Sequence, residues 1–235
     1  MRLFLLIVFI LTIACGDKTT IEPRPPGPDP PPIDSTVTFL ALGDSYTIGE
    51  SVPVSMRWPV QLADSLNARG WKCEEPVIIA RTGWTTDELD RGIDQAGIRD
   101  TFGLVSLLIG VNNQFRGRPV EGYAPEFRDL LNQAIRFGRG DTSRVFVVSI
   151  PDYGPTPFGQ RYDTVKIARE LDAYNHVADS ICKIYNIPFF NITPISRQAR
   201  EFPELVANDG LHPSGEMYRR WVELFRKNVE KLLSE

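Results

Sequence analysis

Five short apolar runs, each followed by a stretch of helical periodicity, constrain this chain more tightly than anything else in it. They fall at 36–42, 76–80, 104–109, 144–150 and 187–192. Runs this continuous suit strands buried on both faces, and parallel strands need a long crossover between them. Strand–helix alternation with right-handed crossovers predicts an α/β fold: a three-layer, doubly wound sandwich on a five-stranded parallel sheet. The helices carry their own signals. Trp58, Leu62, Ala63 and Leu66 share one face, with Pro59 at the start and Gly70 past the end. Thr85 and Glu88 have capping-box spacing and open a helix carrying Leu89, Ile93 and Ala96. Phe127, Leu130, Leu131, Ala134 and Ile135 form an amphipathic stripe that closes near Gly138. A long helix is expected to bury Leu171, Tyr174, Val177, Ala178, Ile181 and Ile184. The last should bury Met217, Trp221, Leu224, Phe225, Val229 and Leu232.

In such a sheet, ligands bind beyond the carboxyl ends of the strands. Chemically capable residues should therefore follow the strands, and they do. Gly43-Asp44-Ser45 follows the first run, Gly83 the second and Gly110-Val111-Asn112-Asn113 the third. Pro151-Asp152-Tyr153-Gly154 follows the fourth, and Asp209-Gly210-Leu211-His212-Pro213 precedes the last helix. Ser45 reads either as a turn or helix-start residue or as a nucleophile, with Asp44 bracing the turn. A serine hydroxyl needs a base within hydrogen-bond reach to attack an ester. Of the two histidines, His176 falls off the apolar stripe of its helix and is expected in solvent, whereas His212 falls on the rim. Asp209, three residues earlier, can reach one ring nitrogen and fix the tautomer. Pro213 disfavours helical backbone at His212 and so presents the ring ahead of the helix. Oxyanion donors are available from the Ser45 and Gly83 N–H groups and the Asn112 amide.

The N-terminal part of the chain differs from the rest. Met1-Arg2 precedes an apolar run to Leu11, then Thr12-Ile13-Ala14-Cys15. The apolar run is about half the ~20 residues a membrane span needs and has the parts of an export signal. Its Ala14-Cys15 ending resembles a bacterial lipoprotein signal, with Thr12 in the place that pattern usually gives to Leu. The resemblance implies residues 1–15 as signal and lipobox, lipid attachment at Cys15, and a location in the cell envelope, tethered to a membrane and not spanning it. Residues 16–35 are proline-rich and read as a semi-rigid linker of polyproline type. Residues 36–235 are enough for one domain with a sizeable core. The formal charge of -4, with no basic run, gives no footprint for nucleic acid. Cys73 and Cys182 are not at metal spacing and are expected to be free buried thiols. Arg139-Gly140-Asp141 spells an adhesion tripeptide, but between helix and strand it is expected to be an ordinary turn.

The Gly-Asp-Ser after the first strand, the glycine after the second, the Gly-x-Asn after the third and the Asp-x-x-His-Pro near the end occur in one order. Together they resemble the SGNH (GDSL-type) hydrolases, over about residues 37–233. The resemblance implies a flavodoxin-like sandwich and serine esterase chemistry with no cofactor or metal. Carried over by position, it makes Ser45 the nucleophile, His212 the base and Asp209 its orienting acid. Gly83 and Asn112 complete the oxyanion hole with the Ser45 N–H. Two positions depart from the pattern: Tyr46 replaces a leucine, and Asn113 replaces an aspartate that supports the loop. The expected substrate is a short-acyl ester of a carbohydrate or small molecule, with Trp84, Phe115, Tyr153 and Phe158 bordering the cleft. The alternatives are a lysophospholipase or thioesterase, and a non-catalytic carbohydrate-binding module on the same rim.

Overall fold

The computed structural model describes residues 36–234. The expected signal with Cys15 and the proline-rich linker lie outside the described residues. Five parallel strands, β1 (Phe39–Gly43), β2 (Val77–Ala80), β3 (Leu104–Leu108), β4 (Val145–Val148) and β5 (Phe189–Phe190), form one sheet in the order β2-β1-β3-β4-β5. The α/β sandwich and its parallel sheet are as expected. Leu42 of β1 pairs with Ile79 on one side and Leu107 on the other. The chain therefore leaves β1 toward one edge and returns across it to β3. This is the switch point at which successive connections diverge and a crevice opens. Two short helices, α1 (Ser45–Ile48) and α4 (Val111–Phe115), leave β1 and β3 at that point. Neither was expected, because four or five residues are too few to show a helical period.

The longer helices α2 (Trp58–Asn67), α3 (Thr86–Ala96), α5 (Val120–Phe137), α6 (Thr164–Ile184) and α8 (Gly215–Ser234) cover the sheet, and α7 (Thr193–Ser196) is one turn after β5. Helices α2 and α8 pack together on one face, and α3, α5 and α6 on the other. Aromatic rings fill the first interface: Trp58 meets Phe225 edge-on at 5.9 Å, and Phe190 stacks on Phe225 at 5.3 Å. Each such side chain contributes about 1.5–3 kcal/mol when fully buried. On the opposite face Tyr123 meets Tyr174 at 4.7 Å and donates its hydroxyl to the Ile109 carbonyl.

Strands are shorter than the apolar runs for local reasons. Strand β4 stops at Val148 because the Asn175 side chain takes both the N–H and the carbonyl of Ile150. Strand β5 is an edge strand that starts after Pro188, which has no N–H to give. Two expected core positions are corrected. Ile184, in the last turn of α6, is 73 % exposed, and Leu224 is 46 % exposed because Val222 takes the inward place beside Phe225. His176 is exposed. Cys73 and Cys182 are buried free thiols, and burial pushes them up to about 11 and about 12.

Candidate active site

At the end of β1 the chain turns directly into α1. A Cβ at Gly43 would sit 2.5 Å from the Leu108 carbonyl oxygen and 2.2 Å from Thr47 Oγ1, so only glycine lets the strand turn this tightly against β3. Asp44 is the N-cap, and its Oδ1 accepts the Tyr46 N–H at 3.0 Å. Ser45 is thus the first helical residue and not the cap. Asp44 is fully buried, and its Oδ2 and the Thr47 hydroxyl have no partner. Burial raises the Asp44 carboxyl to about 7, against the opposing pull of the Tyr46 N–H.

His212 stands in a loop tied on both sides. Its carbonyl accepts the Ala207 N–H at 2.7 Å, and Val206 and Pro213 form an antiparallel bridge. The Gly210 carbonyl accepts the Phe158 N–H at 2.8 Å. Asp209 closes the loop from within. Its Oδ1 accepts the N–H groups of Leu211 (2.9 Å) and His212 (3.0 Å), and its Oδ2 lies 2.5 Å from His212 Nδ1. Burial opposes ionisation of Asp209, but hydrogen bonds from the ring, from Leu211, from Ser51 and from the His212 N–H hold it down at about 2. A carboxylate on the Nδ1 side keeps the neutral ring's proton there and leaves Nε2 bare. Tyr46 meets the imidazole edge-on at 5.8 Å, so the Tyr46 position is a packing position under the histidine.

Gly83 sits in a tight turn closed by the Trp84 N–H on the Arg81 carbonyl, with φ +87°. That value at the third turn position favours glycine. Arg116 Nη2 donates to the Gly83 carbonyl at 2.6 Å, while its guanidinium also pairs with Glu88 at 3.1 Å. Asn112 Nδ2 donates to the Trp84 carbonyl at 2.9 Å. Its amide has two N–H groups, so one remains for another acceptor. Asn113 is turned toward α3: it accepts the Thr86 N–H at 3.1 Å and donates to Thr86 Oγ1 at 2.6 Å and to Glu126. A carboxylate at this position would face Glu126, and the amide avoids that repulsion.

Ser45, Gly83, Asn112 and His212 line one cavity of about 140 Å³, with Phe115, Tyr153 and Phe158 along its wall. Ser45 and His212 share this cavity without a hydrogen bond between them. Trp84 does not border it as expected. Its indole lies over Gly92 of α3, where a Cβ would come within 2.1 Å of the ring. Two contributors escaped the sequence reading, Ser51 beside Asp209 and Arg116 behind Gly83. Neither has a local signal, because each acts on a residue remote in the chain.

Residues 41–220 match the model of the GDSL-like lipase/acylhydrolase family. An arylesterase of Vibrio mimicus is 27% identical over 189 residues, which are 80% of this chain and 84% of that one. Among solved structures, an acetylxylan esterase from Geobacillus stearothermophilus, in a catalytic variant, superimposes with a TM-score of 0.65 at 16% identity, over 82% of this chain and 94% of its own. A psychrotrophic esterase from Pseudoalteromonas sp. gives 0.63 at 18% identity, over 85% of this chain and all of its own (100%). The two structures carry the likeness of fold, and the match to the family model spans most of the described domain. The chain belongs to the GDSL-like lipase/acylhydrolase family and is a carboxylic ester hydrolase.

Proposed function

We propose that the protein hydrolyses short-acyl esters through Ser45, His212 and Asp209. The observation that carries this reading is the shared cavity, which has the Ser45 hydroxyl at one side and a histidine already held by its carboxylate at the other. Ser45 Oγ attacks the ester carbonyl as its proton passes to His212 Nε2. Negative charge on the former carbonyl oxygen is met by the N–H groups of Ser45 and Gly83 and the remaining N–H of Asn112. His212 returns the proton to the leaving alcohol oxygen, giving an acyl-enzyme. Water then repeats the sequence: His212 takes its proton, its oxygen attacks the acyl carbon, and Ser45 regains the proton as the acid departs. Asp209 stays ionised throughout and stabilises the imidazolium. The contact between Ser45 and His212 tightens into a hydrogen bond in the substrate complex, as apo geometries of this kind are often loose.

About 140 Å³ is well under the ~300–1,000 Å³ usual for ligand pockets, which suits an acetyl or similarly small group. The acetylxylan esterase among the structural relatives agrees with this choice. We also infer export as a lipoprotein held to a membrane through Cys15, on the sequence of residues 1–15. The test is hydrolysis of p-nitrophenyl esters across acyl lengths by the wild type, Ser45→Ala and His212→Ala. Acetate should be turned over best, and both variants should lose nearly all of the rate. A maximum at long chains would overturn the short-acyl assignment, and wild-type inactivity with no labelling by a fluorophosphonate would overturn Ser45 as nucleophile.

A further inference from the structure

Beside the ester cavity lies a second, larger one of about 580 Å³. It is within the ~300–1,000 Å³ range of ligand pockets. Phe115 and Tyr153 line both cavities, so the two share a wall. A substrate whose carbonyl sits at Ser45 can extend over Phe115 into the larger space.

The lining of this space is specific. Its apolar part is an aromatic corner: Phe115 meets Tyr153 edge-on at 6.0 Å and Tyr162 edge-on at 6.1 Å. Phe115 and Tyr162 are 48 % and 50 % exposed, so both rings keep area open to a ligand. Its polar part lies along α6 and α4. Glu170 accepts the Gln114 amide at 2.9 Å and faces Lys166 Nζ at 3.8 Å, and Gln114 in turn accepts the Tyr153 hydroxyl.

The charges decide the ligand class. Arg118 and Lys166 are balanced by Asp163 and Glu170 within the lining. Arg118 is moreover paired with Asp87 at 2.6 Å. A phosphate headgroup or a nucleotide-bearing thioester would need cations left over for it, and the lining has none in surplus. What it offers is an aromatic surface bordered by groups that both donate and accept. A pyranose ring has the complementary form, a C–H face and a rim of hydroxyls.

We propose that this second cavity is the leaving-group subsite and holds a neutral oligosaccharide, one ring seated in the Phe115–Tyr162 corner with its C–H face on one of the two rings, and its hydroxyls shared with Gln114, Lys166 and Glu170. The inference rests on the esterase reading for its place in catalysis, but saccharide binding can be measured without turnover.

The experiment uses the purified full chain and two variants. Tyr162→Ala removes one side of the corner, and Ala173→Arg fills the cavity from the exposed side of α6, away from the aromatic wall. Binding of unmodified xylo-, cello- and mannotetraose is followed by titration calorimetry in a Ser45→Ala background. At least one should bind, and both variants should weaken it about tenfold or more. Kinetically, the ratio of kcat/KM for the acetylated tetrasaccharide to that for p-nitrophenyl acetate should fall about tenfold in both. A melting curve checks folding, and if Tyr162→Ala fails it, Ala173→Arg carries the comparison. Absence of binding at millimolar saccharide, an unaltered ratio in a folded variant, or binding of glycerophosphocholine in place of sugar overturns the proposal. Failure of p-nitrophenyl acetate hydrolysis alone overturns the esterase site and leaves the binding result to judge the cavity.

Discussion

Ser51 donates its hydroxyl to Asp209 Oδ2 at 2.7 Å, the same oxygen that faces His212 Nδ1. The two are 158 residues apart in sequence. Ser51 also holds φ at +65°, a left-handed conformation that costs a non-glycine residue roughly 1–2 kcal/mol. A strained residue aimed at the carboxylate of a candidate catalytic histidine is a positioning residue. Ser51→Ala and Ser51→Gly should each lower kcat about tenfold with little change in KM. Only the glycine variant relieves the backbone, so it should be about 1 kcal/mol more stable than the alanine variant in urea denaturation. Equal stabilities, or unaltered kcat in both, would remove Ser51 from this role.

Asp44 makes stability depend on pH in an unusual direction. Its folded-state carboxyl is raised by burial to about 7 from the ordinary 3.8. Between those values the unfolded chain has lost the proton that the folded chain keeps. Stability from this group is therefore full below about pH 4 and falls as pH rises toward 7, by up to roughly 4 kcal/mol. Asp209, held at about 2, acts oppositely: its contribution is present above about pH 4 and is lost as pH falls through 2. Asp44→Asn should flatten the curve between pH 4 and 7. Denaturant midpoints of the two proteins at pH 5 and pH 8 test this, and parallel shifts would refute it.

Arg116 acts through the Gly83 carbonyl and the Glu88 carboxylate. Without it the turn that offers the Gly83 N–H loses its outer support. If Gly83 is the oxyanion donor proposed above, Arg116→Ala should lower kcat about three- to tenfold, more than it raises KM, because such a donor matters most in the transition state. Arg116→Lys should recover part of the loss, since one donor can still reach the carbonyl. Steady-state kinetics on p-nitrophenyl acetate separates these outcomes.

Gly43→Ala should be among the most damaging single methyl additions in the domain. The new carbon would overlap a backbone oxygen of β3, which cannot swing aside as a side chain can. Overpacking of this kind costs about 1–3 kcal/mol or more. The expected result is a melting temperature several degrees lower, with activity lost through displacement of Ser45. An unaltered melting temperature would show that the β1–α1 corner has room to yield.

The layers of the fold were legible because its strands are buried on both faces and its crossovers are helical. The Thr85–Glu88 capping box is present as read, with Thr85 accepting at one end and Glu88 reaching back at the other. Strand ends were less legible. The side chain that ends β4, Asn175, comes from a helix far along the chain, and no window around Ile150 contains it. Ser45, Gly83, Asn112 and His212 were legible as neighbours because the parallel sheet delivers every strand end to one rim. Trp84 was misread for a related reason. Its position after β2 is on the rim, but a bare backbone at Gly92 drew the indole down onto α3. Ser51 and Arg116 could not be found in the sequence, since their function is a contact and not a motif.

The thiols of Cys73 and Cys182 are unpaired, protonated and buried. No cross-link among the described residues waits on an oxidant, so this domain's cohesion comes from packing, hydrogen bonds and ion pairs and not from disulfides. It can reach the same structure in a reducing or an oxidising compartment. Dithiothreitol should leave its melting temperature where it was, and the enzyme can be produced without a disulfide-forming host.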